Sequence, residues 1–191
     1  DFEDEAAEFE LLTKVGQDSG RPVWFLLTDR AADPQRWRRL VAGVKKARTQ
    51  GAQMSAQVAG RPIGLILGLN TSLNPFSIRS AYKALEQLPA AQRLARLKDP
   101  EVKRAILNDP VSDALLEVLP PLSRQIATRW DRMYLLNDPP NYEPEYQNSV
   151  AAIAEQKGVA PEEIAYDHVT AGDGEGTFFF PVTGYVTGDL E

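Results

Sequence analysis

The chain has 191 residues, with 21 Lys+Arg against 27 Asp+Glu and a formal net charge of −6. That acidic balance argues against non-specific nucleic-acid binding, which needs clustered cations to displace counterions. No apolar run approaches the roughly 20 residues that span a bilayer; the longest, Pro62 to Leu69, is strand-sized, so neither nucleic acid nor membrane is an expected partner and the expected compartment is the cytoplasm. The absence of Cys removes disulfides, thiolate catalysis, Cys-ligated zinc and iron–sulfur clusters. The one His, His168, leaves a metal site or a Ser-His-Asp triad with a single imidazole to draw on. The chain opens on Asp1 and closes on the turn-like Gly188-Asp189-Leu190-Glu191, so both ends read as cut.

Residues 2–15 are predicted to form a first helix. Phe2, Ala6, Phe9 and Leu12 recur at helical spacing, and Gly16 is the expected stop. Arg21 to Asp29 is nearly all apolar between polar ends, the pattern of a strand buried on both faces beneath helices. Asp33-Pro34 then starts a helix with the stripe Trp37, Leu40, Val41, Val44 and Ala47, closed by Gly51 in a left-handed conformation. A second strand runs from Gln53 to Val58, is interrupted at Gly60-Arg61-Pro62, and resumes through Ile63 to Leu67. Strand–helix–strand of this length is a crossover, so the two strands should be parallel.

From about Asn74 the texture becomes helical. Ser80, Asp99-Pro100, Asp113 and Ser123 are each placed to begin a short helix, and 76–132 contains no strand. Met133 to Leu136 reads as a short strand, followed by a break at Asn137-Asp138-Pro139-Pro140-Asn141. Asn148 or Ser149 caps a helix ended by Gly158, and Pro161 opens another that carries Ile164, Ala165, His168 and Val169 on one side. Gly172-Asp173-Gly174-Glu175-Gly176 reads as a mobile hairpin tip before an aromatic strand, Thr177 to Phe180, and a further run to Val186. The organisation is therefore α/β, with 1–75 as helix, strand, helix, strand; 76–132 as a helical insertion; and 133–191 as two helices and a terminal strand.

Few side chains point to chemistry. Asp29 ends the first buried strand, the edge that faces ligands in parallel α/β folds, where it can ligate a metal, orient a substrate or cap the next helix, as Asp33 also can. Gln57 and Arg61 flank the end of the second strand. The amide can donate to a carbonyl, and the guanidinium can pair a substrate carboxylate or a surface acid. His168 reads first as a half-buried helix residue bonded to a neighbour. Trp24 and Trp37 are expected in the core. The glycine-rich run lacks the Gly-Lys-Ser/Thr ending of a phosphate loop and does not fit a calcium loop.

Several ordered motifs resemble one family. They are Gly20-Arg21-Pro22-Val23-Trp24-Phe25-Leu26-Leu27; the Asp33-Pro34-x-Arg36-Trp37 helix; Gly51-Ala52-x-Met54-x-Ala56-Gln57-Val58-x-x-Arg61-Pro62; and Gly64-Leu65-x-Leu67-Gly68-Leu69. Asn74-Pro75-Phe76, Leu88-Pro89 through Asp99-Pro100-Glu101, and Gly184-Tyr185-x-x-Gly188-Asp189-Leu190 follow. Together they resemble the N-acyl-D-amino-acid deacylase (D-aminoacylase) branch of the amidohydrolases, amidohydrolase family 3. The resemblance implies a zinc-dependent hydrolase on a (β/α) TIM-like barrel that cleaves the amide bond of N-acyl amino acids with a metal-activated water. Family members carry an early His-x-His pair and a late Asp-Gly-Gly-Ala-His segment, and neither is here; where better-known members have Ser-His, this strand ends Thr28-Asp29. The resemblance thus implies an internal to C-terminal segment of the barrel, inactive alone. Its two strands would be consecutive, the helical insertion would form part of the pocket wall, and Asp29, Gln57 and Arg61 would lie on the substrate side. Zinc belongs to the full-length parent and not to this chain. The expected partners are the small-molecule amide, the remaining segments of the parent enzyme, or a second copy. The alternative is a non-catalytic interaction domain whose 137–144 loop and acidic ends contact partners.

Overall fold

A computed structural model describes residues 4–29 and 33–184. The chain divides into two compact units, Asp1–Ile63 with Val182–Glu191, and Gly64–Pro181. Phe2 of the first stripe and the Tyr185–Leu190 portion of the last motif lie outside the described residues.

In the first unit, α1 spans Glu5–Ser19, and its N-terminus is capped by the Asp4 carboxylate, which accepts from the Ala7 amide at 3.1 Å. The helix does not stop at Gly16, as the sequence predicts, but at Gly20, whose φ of 63° gives the left-handed turn. Gly16 is instead a buried position on the face of α1 that meets the sheet, where a Cβ would stand in ordinary contact, 3.4 Å from both Ala52 Cβ and Val23 Cγ2.

Strands β1 (Val23–Leu26) and β2 (Met54–Gln57) pair in parallel, with Val23 opposite Met54 and Leu26 opposite Gln57. Helix α2 (Arg36–Thr49) connects them, so the predicted parallel crossover is present. The expectation of two-sided burial is corrected. Val44, Ala47, Ala52 and Met54 form a core with Phe9, Leu12, Phe25 and Ala56 on one face only. On the other face Trp24 is 57% exposed and Leu26 54%. A single helical layer enforces alternation along a strand. Trp37 is likewise 39% exposed, with the Arg38 guanidinium 4.9 Å from its ring centroid, so neither predicted core tryptophan is a core residue.

Three arginines of α2 tie this unit together. Arg36, 4% exposed, donates from Nε to Glu5 at 2.9 Å. Arg39 grips the Asp33 carboxylate, with Nη2–Oδ2 at 2.6 Å, and that hydrogen bond holds the Asp33 carboxyl below the usual carboxylate range. Asp33 therefore does not cap α2 through its side chain. Arg48 donates to the Met54 carbonyl at 2.7 Å and to Ser55 Oγ at 2.9 Å.

Ile63–Gly68 is not a resumption of β2 but a strand of its own, β3, in a second sheet. Pro62 lacks the N–H that a continued ladder needs and biases Arg61 before it, so pairing restarts after the break. Strand β4 (Tyr134–Leu135) and strand β5 (Thr177–Thr183) complete that sheet in the order β3-β5-β4. Tyr134 lies opposite Phe179 in an antiparallel pair. Gly64 lies beside the Phe180 carbonyl and Gly68 beside that of Gly176, so β3 also runs against β5. Phe178, Phe179 and Phe180 are at most 2% exposed, as a central strand requires. The described residues thus form a mixed α/β arrangement with one parallel pair and one three-stranded sheet, and no closed barrel among them.

In the second unit, α3 (Ser80–Lys83), α4 (Ala90–Leu97), α5 (Pro100–Leu107), α6 (Asp113–Val118) and α7 (Pro121–Thr128) occupy the stretch assigned to helices. Asp99 caps α5 as predicted, accepting from the Glu101 amide at 2.8 Å. Helix α6 begins at Asp113 as predicted, with Ser112 as its cap, and α7 begins at Pro120-Pro121 rather than at Ser123. Ser80 does not cap α3; the Asp109 carboxylate accepts from the Ala81 amide at 2.9 Å. Helix α8 (Val150–Lys157) has Ser149 as its cap and Gly158 as its stop, both as predicted, and α9 spans Pro161–Thr170. Gly172 to Gly176 joins α9 to β5, so it is a helix-to-strand turn and not a hairpin tip. No helix among the described residues is long and apolar enough to cross a membrane.

A phenol network fills this unit. The Tyr166 hydroxyl donates to the Leu97 carbonyl at 2.9 Å, and its ring meets Phe76 edge-on at 5.3 Å. Asn74 Nδ2 donates to the Tyr82 hydroxyl at 3.0 Å. Burial raises both phenol pKa values. A raised folded-state pKa contributes stability that is complete below the unfolded value, about 10 for Tyr, and is lost as pH rises through the folded value. Tyr166→Phe is expected to cost about 1 kcal/mol at neutral pH and to show a shallower loss of stability above about pH 10 than the unaltered chain. Urea midpoints at pH 7, 10 and 11 measure both; parallel curves would contradict the burial assignment.

Candidate functional site

Parallel pairing brings the carboxyl ends of β1 and β2 to one edge, and two of the predicted site residues meet there. Gln57 is the last residue of β2, is exposed, and accepts at its main-chain carbonyl from the Leu27 amide at 2.8 Å. Asp29 follows Leu27 by two residues and is half-buried. Its Oδ1 accepts from the backbone amide of Gly184, so it caps no helix in this arrangement. Gly184 has φ 82°, and a Cβ on it would stand 3.2 Å from Pro62 Cα. The exposed Arg61 immediately precedes that contact, in the loop between β2 and β3.

Asp29 and Gln57 thus lie close to the carboxyl ends of paired strands, and Arg61 follows in the loop between β2 and β3. A guanidinium favours a carboxylate or phosphate, a carboxamide both donates and accepts, and a carboxylate accepts from donors. These group types are ones that can hydrogen-bond and pair with a polar small molecule. The set contains no hydroxyl, thiol or imidazole.

His168 belongs to the other unit. Its Nε2 lies 2.8 Å from the Thr177 carbonyl oxygen, and its ring is tilted against Phe178 with centroids 5.0 Å apart. A carbonyl only accepts, so Nε2 carries the proton and donates. The Thr177 carbonyl also accepts from the Leu136 amide at 2.9 Å, so His168 fastens α9 to the β4–β5 region. This matches the structural role read from its helix position.

The family resemblance places zinc in the full-length parent and not in this chain. Among the described residues no three His, Asp or Glu side chains come together to hold an ion. Asp29 Oδ1 is committed to a backbone amide and His168 Nε2 to a carbonyl. No chemical step is therefore routed through a metal here.

The sequence missed a cleft of about 500 Å³ in the second unit, lined by Leu69, Asn70, α4 and the turn at Asp173-Gly174. Its charged lining includes Arg93 and Lys98. The one local signal for it is the helix periodicity that puts Ala90, Leu94 and Lys98 on one stripe, with Ala91 and Ala95 beside it. Compared with known proteins, the chain matches no family model, no curated protein sequence and no solved structure.

Proposed function

We propose that this chain is part of a metal-dependent amidohydrolase acting on N-acyl amino acids, in a (β/α) barrel to which it contributes the β1–α2–β2 crossover. The observation that carries this reading is the parallel pair with Gln57 at the carboxyl end of β2 and Asp29 beyond that of β1, the edge at which (β/α) barrels build their sites. The ordered motifs from Gly20 to Glu101 support it. In this reading Arg61 pairs the substrate carboxylate, Gln57 donates to the acyl carbonyl, and Asp29 orients the amide N–H. The ligands of the metal lie outside the described residues, together with the remaining segments of the parent enzyme.

The chain by itself is then expected to release no free amine from N-acetyl-D-amino acids above the buffer rate, with or without added Zn²⁺. Turnover by the purified 191-residue chain would overturn this division of labour. In the parent polypeptide Arg61→Ala should raise KM about tenfold or more while leaving kcat nearly unchanged, since a charge-assisted contact to a non-reacting carboxylate is worth about 1.5–3 kcal/mol. A parent with no amide-hydrolysing activity turns the reading to the alternative, a non-catalytic interaction domain. The exposed apolar side chains of Trp24 and Leu26 favour that second reading.

A further inference from the structure

The cleft beside α4 differs from the strand-edge site in position and in chemistry. Its floor is apolar: Leu69 from the end of β3, and Leu94 and the alanines of α4. Its volume of about 500 Å³ falls in the range of roughly 300–1,000 Å³ typical of small-molecule sites.

Two cations stand in this lining, and among the described residues neither is ion-paired. Arg93 donates from Nη2 to the Leu69 carbonyl at 2.8 Å and from Nη1 to the Glu86 carbonyl at 3.3 Å, both neutral acceptors; Asn70 Oδ1, also neutral, lies 3.5 Å from Nη2. Lys98 donates to the Gly172 carbonyl at 2.5 Å. These bonds hold both charges in place without cancelling either. The one acid in the lining is Asp173, whose carboxylate is turned back toward the Glu175 amide of its own turn, at 3.4 Å. The turn itself is fitted to the helix: a Cβ on Gly174, which has φ 80°, would stand 3.0 Å from Leu94 Cδ1. The cleft is therefore assembled by three segments distant in sequence and is not a by-product of one helix face.

We propose that this cleft binds a small organic monocarboxylate with an apolar body of several carbons. The carboxylate takes Arg93 and Lys98, and the apolar body covers Leu69, Leu94 and the alanine stripe. Asp173 sets the selectivity, because the net charge of the three groups is +1 and a second anionic group meets its carboxylate. A neutral or cationic molecule of the same length lacks the pairing, which is the part of the interaction that survives competition from water when the acceptors already held are neutral.

The test is a titration of the whole 191-residue chain with octanoate, octanol, octylammonium and suberate, followed by amide chemical shifts. Octanoate is expected to shift residues 69–70, 90–98 and 173–174 saturably, and to bind at least about fivefold more tightly than each of the other three. Lys98→Gln should weaken octanoate by about fivefold or more and leave octanol unaffected. Ala95→Trp, at an exposed position, should fill the cleft and abolish the shifts in a folded chain. Equal binding of octanoate and octanol would overturn the proposal by reducing the cleft to a greasy surface. So would suberate binding as well as octanoate, or an Ala95→Trp variant that retains the response.

Discussion

Gly176→Ala is expected to lower the melting temperature of the 191-residue chain by about 6–12 °C. The position joins the α9 turn to β5, and a Cβ there would stand 2.2 Å from the His168 carbonyl oxygen and 3.2 Å from Val169 Cα. Both neighbours are main chain, so no side-chain rotation relieves the overlap. The helix end must move away from the strand, which disturbs the His168 contact to Thr177 and the Phe178 packing at once. Overpacking of this kind costs about 3 kcal/mol, and a domain of this size loses about 2–4 °C per kcal/mol. Gly64→Ala should do comparable damage, because its Cβ would meet the Phe179 ring at 2.2 Å and the Phe180 carbonyl oxygen at 2.9 Å. Gly60→Ala is the control, with nothing within 4 Å of the added carbon and an expected change within about 0.5 kcal/mol. Thermal melts followed by near-UV circular dichroism separate the three. A Gly176→Ala chain that melts within 2 °C of the unaltered one, roughly under 1 kcal/mol by the same scale, would show that the α9–β5 junction is packed differently.

Arg79→Met should cost about 3–5 kcal/mol, read as a fall in the urea midpoint. Arg79 is 8% exposed and stands at the N-cap of α3. Its Nη1 reaches the carbonyl oxygens of Ile106 at 3.1 Å, Leu107 at 3.3 Å and Asp109 at 2.8 Å, where α5 leaves its last carbonyls without helical partners. Its Nη2 lies 3.6 Å from Glu162 of α9. One guanidinium thus closes the end of α5 and links it to α3 and α9. Methionine fills the volume and takes the charged donor away from the half-buried Leu107 and Asp109 carbonyls, while that of Ile106 keeps the Asp109 amide. Arg79→Lys should recover little, since a single ammonium on a flexible stem cannot replace the fork. Glu162→Gln should cost no more than about 1 kcal/mol, because the pair is long and the glutamate side chain is 30% exposed. An Arg79→Met chain within about 1 kcal/mol of the original would mean that water caps α5 adequately.

What could be read in advance was what short spans decide. Asp99-Pro100, Ser149 and Gly158 mark helix ends through bonds that reach three residues or fewer, and they sit where the sequence puts them. The Phe178–Phe180 run announces a buried strand by composition alone. The errors arise where the deciding partner is remote. Ser80 reads as a cap, but Asp109, 28 residues from Ala81, holds the Ala81 amide in the first turn of α3. Trp24 looked like core because its strand is apolar throughout, yet burial depends on how many layers cover a sheet, and here helices cover one face. Ile63–Gly68 looked like more of β2 because apolar runs carry no label for the strand they join. At the candidate site, the shared edge of Asp29 and Gln57 follows from the crossover, which is legible. The Gly184 amide that fixes Asp29 comes from 155 residues downstream and left no local trace. Arg93 and Lys98 escaped notice for the same reason: the cleft exists only once three distant segments have met.

The Arg48 guanidinium has a consequence for how copies of this chain meet. In a parallel ladder, alternate carbonyls point to opposite sides; Gln53 and Gln57 face β1, so Met54 faces outward. That outward carbonyl is the one Arg48 occupies, and the Met54 amide is turned to the Ala52 carbonyl at 3.0 Å. A strand arriving at this margin finds its first docking points already taken. The arginine acts as a stopper: any strand that joins β2 at this margin must first dislodge it.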